Sequence, residues 1–281
     1  MSSLAIPKTY KLFIGGKFPR TESGRYREMK DGSGQFLANV SWASKKDLRN
    51  AVVAARAAQS GWAGPSAYLK GQILYRIAEV LEGRASQFVD ELFLQGMSAQ
   101  TAEADVRAAS DLLVHYAGWS DKYTSLFSSV NPVASAHFNF SCPEPSGVVG
   151  LVAPQAGLSG LVSVLAPALV GGNTVVALAS EQFPLSAISF AEVLATSDVP
   201  AGAVNILTGL REELVGGLAS HMDINALLLA LEEPEMRQAV EREAAENLKR
   251  VITHPDQALA PSPYHILDLQ EIKTTWHPVG G

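Results

Sequence analysis

The sequence predicts an α/β protein built on a doubly wound parallel sheet, with a small β element beside it. Five short apolar runs follow residue 145, and they read GVVGLVAP, NTVVALA, AVNILTG, INALLLA and LKRVITH. Helical segments alternate with these runs, which is typical of strands covered by helices on both faces of a parallel sheet. Five strands and four helices within residues 146–254 have the size of a dinucleotide-fold core.

Residues 1–145 are predicted to form hairpins and helices that pack against this core. Gly15-Gly16 between apolar runs indicates a two-residue hairpin, because both positions tolerate positive φ. Ser44 and Asp47 resemble a capping box that begins an Ala-rich helix. A second helix has an apolar stripe, a third carries Phe88 and Leu92, and a fourth begins near Ala102. The stripe consists of Leu69, Ile73, Ile77, Val80 and Leu81.

The carboxyl-terminal end divides into two segments. Residues 255–269 are rich in proline and lack periodicity, which predicts a linker. Within 270–281, Ile272, Thr274 and Trp276 alternate with polar residues, which is the periodicity of a strand. An isolated strand needs a partner edge, either the amino-terminal hairpins or another subunit. The large aromatic of Trp276 favours an oligomer interface formed by these three residues.

Composition narrows the class of partner and compartment. Hydrophobic residues make up 47% of the chain, charged residues 18%, and the net charge is −6. An acidic protein of this kind is not expected to bind nucleic acid or an anionic membrane. No apolar run predicts a spanning helix, and the first residues do not predict a secretion signal. Cys142, the single cysteine, excludes an internal disulfide and favours a reducing, cytoplasmic location.

Several motifs together resemble the aldehyde dehydrogenase superfamily over nearly the whole chain. They are LFIGGKFPRTESG, DLRNAVVAARAA, GWAG, HYAGWSDKY, EPSGVVGLVAP, LAPALVGGNTVV, SEQFPLSA, PAGAVNILTG, LASHMDI, NLKRV and EIKTTWHPV, in the order of the family. The resemblance implies a fold built for NAD(P)-dependent oxidation. It also implies that the terminal strand joins an oligomerisation sheet.

The chain departs from the family in its length and its thiol. Family members are nearly twice as long, and their nucleophilic cysteine lies in a second domain after the dinucleotide domain. Here only residues 252–269 separate Val251 from the terminal strand. The resemblance therefore indicates a truncated, degenerate homologue that lacks the catalytic-cysteine domain. Cys142 precedes the first strand of the core and lies beside Pro143 and Glu144, which is not the electropositive setting of a reactive thiol.

Positions that carry chemistry in the family are also changed. Where the family has P-W-N-F-P, Ala156 replaces the asparagine that donates a hydrogen bond to the oxyanion. In the K-P-S-E segment, Leu178 replaces the lysine that holds the adenosine ribose. Ser180 and Glu181 remain, so Glu181 is the surviving candidate for cofactor binding. The family's general-base glutamate would stand near His254.

The phosphate position is changed as well. The family's F-T-G-S-T motif, which opens a phosphate-binding helix, corresponds to residues 228–234 here. Glu232 and Glu233 would repel an anion, and Pro234 removes a donor. These changes predict no cofactor, with NAD(P) bound only weakly if at all. We assign no catalytic residue and no metal ligand from the sequence.

Two functional hypotheses follow. The first is a non-catalytic homologue that forms homo-oligomers or assembles with a full-length aldehyde dehydrogenase. The alternative is an NAD(P)-dependent oxidoreductase that is active only with a partner subunit, or through an altered site around His254 and Glu181.

Overall fold

A computed structural model describes residues 8–280 of the 281-residue chain. Its first part contains a small sheet, five helices and a hairpin. The strands of the small sheet are β1 (Thr9–Tyr10), β2 (Tyr26–Lys30) and β3 (Phe36–Ser41), in the order β1-β3-β2. The helices are α1 (Lys45–Ala63), α2 (Ala67–Gly83), α3 (Ala85–Leu94), α4 (Ala99–Trp119) and α5 (Tyr123–Phe127), and the hairpin strands are β4 (Ser129–Asn131) and β5 (His137–Pro145).

The second part alternates strands and helices, as the sequence predicts. Its elements are β6 (Val148–Val152), α6 (Leu158–Val170), β7 (Thr174–Leu178), α7 (Pro184–Ala195), β8 (Val204–Leu207), α8 (Arg211–Ser220), β9 (Ala226–Ala230), α9 (Pro234–Ala245), β10 (Arg250–His254), α10 (Tyr264–Leu267) and β11 (Gln270–Pro278). Five of these strands form a parallel sheet in the order β10-β9-β6-β7-β8. The predicted doubly wound α/β fold is confirmed.

Both faces of the parallel sheet are buried. Along β6, Val149 and Leu151 belong to one apolar cluster with α2, α4, α6 and α7, while Val148 and Val152 belong to another with α1, α8 and α9. Every residue of β6, β7 and β9 is buried. Each fully buried Val or Leu side chain stabilises the fold by ~1.5–3 kcal/mol, so these strands contribute strongly to the core.

Local signals in the amino-terminal part are confirmed, with one exception. Ile14 and Lys17 exchange two backbone hydrogen bonds around Gly15-Gly16, whose φ angles are 60° and 74°. The capping box at the start of α1 is also present. The predicted apolar stripe of α2 is wrong at Leu69, which is 47% exposed because it lies in the first turn, beyond the buried face.

The terminal strand pairs with a partner that the sequence did not predict. Strand β11 runs antiparallel to β5 over nine residue pairs, from Gln270↔Pro145 to Pro278↔His137, in the order β11-β5-β4. On this side β11 therefore pairs with β5 rather than with the predicted hairpin around Gly15-Gly16, whereas pairing of its other side with another subunit stays a prediction. Because β5 presents buried Asn139 and Ser141 rather than an apolar row, its sequence lacks the usual strand signal.

The segment 255–269 packs more closely than its proline content suggests. Ile266 and Leu269 are fully buried, and the backbone N–H of Leu259 donates to Ser163 Oγ at 3.1 Å. The segment also contains α10, so it crosses α6 as a docked connection. No helix within residues 8–280 combines the length and apolar character needed to cross a membrane.

Candidate functional site

The carboxyl-terminal edge of the parallel sheet is the candidate site. In doubly wound sheets, ligands bind outside this edge where the strand order reverses. Here β6 lies between β7 and β9, so the chain proceeds to one side through β7 and β8 and then returns to the other side at β9. The crevice beyond the ends of β6 and β9 is therefore the place to look for bound ligands.

A buried ion pair lies at this edge. Arg211, the first residue of α8, directs two guanidinium nitrogens to the two carboxylate oxygens of Asp256, at 3.1 Å each. It also donates to the carbonyl of Ala153 at 2.5 Å. The side chains of Arg211 and Asp256 are only 5% and 15% exposed. Arg211 was not predicted from the sequence. The available signal was an arginine at the start of a helix, shortly after a buried strand.

Gln155 connects the loops around this pair. Its backbone N–H donates to Asp256 Oδ1 at 2.6 Å, and its Oε1 accepts from Ser180 Oγ at 2.9 Å and from the Glu181 N–H at 2.8 Å. Glu181 in turn accepts the N–H of Arg211 at 2.8 Å. The predicted cofactor residue Glu181 therefore lies at the crevice, held between β7 and the start of α8.

An open cleft adjoins Glu181. It has a volume of ≈ 530 Å³, and its lining includes Arg27, Gln155 and Glu181. The Arg27 guanidinium makes no ion pair within residues 8–280, although it lies over the ring of Trp42. The cleft therefore combines a cation, an amide and a carboxylate at the edge where a nucleotide fold binds its ligand.

Acidic residues lie at the starts of α6 and α9. At α6, the chain's own Asp105 accepts the N–H of Ser159 at 3.2 Å and its hydroxyl at 2.5 Å. Burial raises the pKa of Asp105. At α9, Glu233 is the N-cap and Pro234 the first residue, and both lie exposed. The predicted placement of this acidic stretch at the start of a helix is thus correct.

Cys142 and Ala156 lie apart from each other. Cys142 is half-buried in β5, opposite Lys273 of β11, and β5 ends just before β6 begins. The thiol is thus on the amino-terminal side of the parallel sheet, whereas Ala156 follows β6 at the carboxyl-terminal side. That Cys142 has no catalytic role stays a prediction.

His254 and Glu181 do not form a joint site. His254 ends β10 and has His265 and Asp268 as neighbours, whereas Glu181 contacts Arg211. No contact between His254 and Glu181 is found in the described part of the chain. The altered site that the sequence suggested around this pair gains no geometric support.

The predicted interface residues lie on the edge strand of the β11-β5-β4 sheet. Ile272 is 51% exposed and Trp276 57% exposed. Thr274 Oγ1 is 2.8 Å from Ser141 Oγ, which anchors β11 to β5. Since β11 pairs with β5 along one side only, its other side presents unpaired backbone groups within residues 8–280.

The fold and the position of the crevice define a protein of the dinucleotide-binding α/β class. The family model described as "Aldehyde dehydrogenase family" matches residues 18–254. The chain therefore belongs to the aldehyde dehydrogenase family.

Individual relatives agree with this assignment. The chain is 31% identical to 2-hydroxymuconic semialdehyde dehydrogenase from Pseudomonas sp. (strain CF600) over 251 residues, which are 87% of this chain and 51% of the relative. It is 33% identical to retinal dehydrogenase 2 from Gallus gallus, covering 87% of this chain and 48% of that protein. The chain thus spans about half the length of the curated relatives it matches.

Solved structures agree as well. HpcC from Thermus thermophilus superposes with a TM-score of 0.83 at 29% identity, covering 88% of this chain and 48% of that one. An NAD+ complex of aldehyde dehydrogenase from Bacillus cereus superposes with a TM-score of 0.81 at 28% identity, covering 88% and 50%.

The expectation of no cofactor is corrected by these findings. The family itself and the Bacillus cereus complex, which contains NAD+, point to a nicotinamide cofactor. The changes at Leu178 and at residues 228–234 do not outweigh the retained sheet edge and Glu181. A carboxylate at the end of the second strand of such a sheet suits ribose hydroxyls.

Proposed function

We propose that this chain binds a nicotinamide dinucleotide at the carboxyl-terminal edge of its parallel sheet. The cleft of ≈ 530 Å³ beside Glu181 is the observation that carries the proposal. Its volume lies within the range of about 300–1,000 Å³ usual for small-molecule sites. The Glu181 carboxylate would accept hydrogen bonds from ribose hydroxyls, and the Arg27 guanidinium would attract the pyrophosphate. A bound dinucleotide supplies a hydride acceptor.

Calorimetric titration with NAD+ and NADP+ tests this proposal. We expect saturable binding with a dissociation constant below about 1 mM, the upper end of usual enzyme affinities. Glu181→Gln should weaken binding about tenfold, because a hydrogen bond to a charged group contributes ~1.5–3 kcal/mol. Arg76→Gln serves as the matched control for Arg27→Gln, since Arg76 pairs with Glu79 on the exposed face of α2. Absence of heat with both dinucleotides would refute the proposal.

We further propose that the chain alone does not oxidise aldehydes. Acyl transfer requires a thiolate beside the nicotinamide, and the only thiol, Cys142, lies in β5 away from the crevice. Ala156 also offers no side-chain donor to an oxyanion. Purified chain supplied with an aldehyde and NAD+ should form no NADH above background, with Cys142→Ala giving the same result. Turnover that disappears in Cys142→Ala would overturn this part.

The role we propose instead is that of an assembly partner, in a homo-oligomer or with a full-length aldehyde dehydrogenase. Exposed Ile272 and Trp276 on the edge strand β11 support it. Light scattering on Ile272→Thr/Trp276→Thr should show a lower mass than wild type. Tyr68→Thr, at a 70% exposed aromatic on α2, should leave the mass unchanged. The assembly role would be contradicted if the wild type is a monomer and also does not bind a full-length family member.

A second candidate is an aldehyde oxidoreductase that is active only with a partner subunit. The retained Ser180–Glu181 contact with Gln155 and the cleft beside it favour this candidate. Mixing the chain with a full-length family member whose own cofactor site is disabled would distinguish the two. Aldehyde-dependent NADH formation that requires Glu181 would favour the oxidoreductase. No NADH despite complex formation would favour the partner role.

We also propose a cytoplasmic location. A single cysteine excludes an internal disulfide and suits a reducing compartment. Fractionation of the native cell, followed by immunoblotting of each fraction, tests it.

A further inference from the structure

Three side chains that are separated in the sequence lie together at the carboxyl-terminal end of β10. His254 ends β10, and the segment 255–269 returns to place His265 of α10 and Asp268 beside it. One ligand atom from each residue lies within 4.8 Å of the other two. Asp268 Oδ2 is 3.7 Å from His254 Nε2 and 3.4 Å from His265 Nδ1.

We propose that His254, His265 and Asp268 bind a divalent transition-metal ion, with Zn²⁺ the best match. Two imidazoles and one carboxylate are a donor set that zinc favours, and three protein ligands leave a fourth position for water. Ligand atoms at about 2.0–2.2 Å from a tetrahedral zinc lie about 3.3–3.6 Å apart. The two His–Asp distances need almost no adjustment to meet this spacing.

A second observation points to a ligand at the same place. His254 Nε2 is buried and has no hydrogen-bond partner in the described part of the chain. Buried polar atoms nearly always have a partner, so an orphaned imidazole nitrogen facing another imidazole and a carboxylate is unusual.

The surroundings fit a divalent ion of intermediate hardness. The three side chains are 15%, 19% and 35% exposed, so an ion can enter without unfolding the segment. Mg²⁺ and Ca²⁺ prefer shells of oxygen ligands, and only Asp268 supplies one here. Arg250, which donates to the backbone carbonyl of Asp268 at 3.4 Å, is paired with Glu271 at 3.0 Å, which reduces its repulsion of a metal.

Such an ion would join the end of β10 to α10. The segment 255–269 leads directly into β11, so the metal would fix the connection between the parallel sheet and the β11-β5-β4 sheet. This departs from the sequence-based expectation of no metal. Residues 254, 265 and 268 lack the short, regular spacing by which metal sites are recognised in sequences.

Titration of the full chain with Co²⁺ and Zn²⁺ tests the site. We expect about one ion per chain, visible absorption bands typical of histidine-coordinated Co²⁺, and competition by Zn²⁺ but not by millimolar Mg²⁺. His265→Gln and Asp268→Asn should weaken binding at least about tenfold, since even indirect partners of a metal contribute about 10–100-fold. His221→Gln removes an imidazole elsewhere and should bind as wild type.

The outcomes decide the proposal in either direction. An unsaturable titration of wild type, or equal weakening by His221→Gln and His265→Gln, would overturn it. If His265→Gln and Asp268→Asn do not fold, as judged by circular dichroism, the wild-type Co²⁺ spectrum decides alone. A spectrum identical to that of Co²⁺ in buffer would refute the site.

Discussion

Two ion pairs show how differently the carboxyl-terminal edge of the parallel sheet and the β11-β5-β4 sheet are built. At the carboxyl-terminal edge, Arg211 and Asp256 are 5% and 15% exposed and share two hydrogen bonds. In the β11-β5-β4 sheet, Lys273 and Glu144 lie 3.0 Å apart but are 61% and 47% exposed. The first pair fixes three loops in place, whereas the second joins the edge strand β11 to β5 on a solvated surface.

The two ion pairs therefore differ in how much they contribute to the stability of the fold. A buried pair is costly to break, because the remaining charge stays desolvated. An exposed pair contributes little, because water and salt already screen it. At the carboxyl-terminal edge, the charged side chains are therefore paired with each other inside the protein, and the cleft at Glu181 lies beside them. The β11 surface instead exposes apolar side chains, at Ile272 and Trp276.

The largest expected effect comes from breaking the buried pair. Arg211→Ala should lower the free energy of unfolding by ~3–5 kcal/mol, because Asp256 would remain buried without its partner. Urea denaturation measures this loss. In the double variant Arg211→Ala/Asp256→Ala, part of the stability should return. A loss below ~1 kcal/mol in Arg211→Ala would remove the contrast between the two regions.

A smaller effect is expected at the start of α6. Asp105→Ala should cost ~1–2 kcal/mol, because it removes the carboxylate that accepts the backbone N–H and the hydroxyl of Ser159 in the first turn. Urea denaturation with Asp111→Ala, on the same helix α4, gives the comparison. Equal losses in the two variants would show that Asp105 has no capping role.

The same residue predicts a pH dependence. Burial raises the pKa of Asp105 in the folded state above its ordinary 3.8. The folded chain then binds more protons than the unfolded chain, so this contribution is greatest below pH 3.8 and falls as the pH rises through the folded pKa. The free energy of unfolding of wild type relative to Asp105→Asn should therefore decline from pH 4 toward neutral pH, by an amount set by the pKa shift of Asp105. A difference that stays constant would contradict this.

A smaller effect concerns dinucleotide affinity. Glu232→Gln should tighten NAD+ binding about twofold to fivefold, because a charge near a helix start contributes ~0.3–1 kcal/mol. Calorimetry compares it with Glu246→Gln at the opposite end of α9. If Glu232→Gln binds more weakly, the carboxylate helps to hold the cofactor, and our account of charge at this edge is wrong.

The smallest effect is expected for the exposed pair. Lys273→Ala should change the free energy of unfolding by less than ~0.5 kcal/mol. Thermal or urea denaturation beside Arg211→Ala provides the direct contrast. A loss comparable to that of Arg211→Ala would show that the β11-β5-β4 sheet depends on its surface charges.

Much of the fold was predictable because its signals are local. The runs that became β6, β7 and β9 are buried on both faces, and Ser44 with Asp47 marks the start of α1 within four residues. Strand β5 escaped because its buried positions carry Asn139 and Ser141, whose hydrogen bonds to Asn131 replace apolar contacts. Because β5 was not predicted as a strand, it could not be proposed as the partner of β11.

The site was predictable only in part because it is assembled across the chain. Glu181 follows a recognisable strand, so its place at the crevice could be read directly. The partners of Arg211 lie at Ala153 and Asp256, and those of His254 lie on α10. Such contacts depend on how the loops return to the sheet, which no local pattern encodes.

Binding and turnover measured on one purified sample test the central claim most directly. The account predicts saturable binding of NAD+ that depends on Glu181, together with no NADH formation when an aldehyde is added. Steady NADH formation by the chain alone, or a complete absence of NAD+ binding, would contradict it.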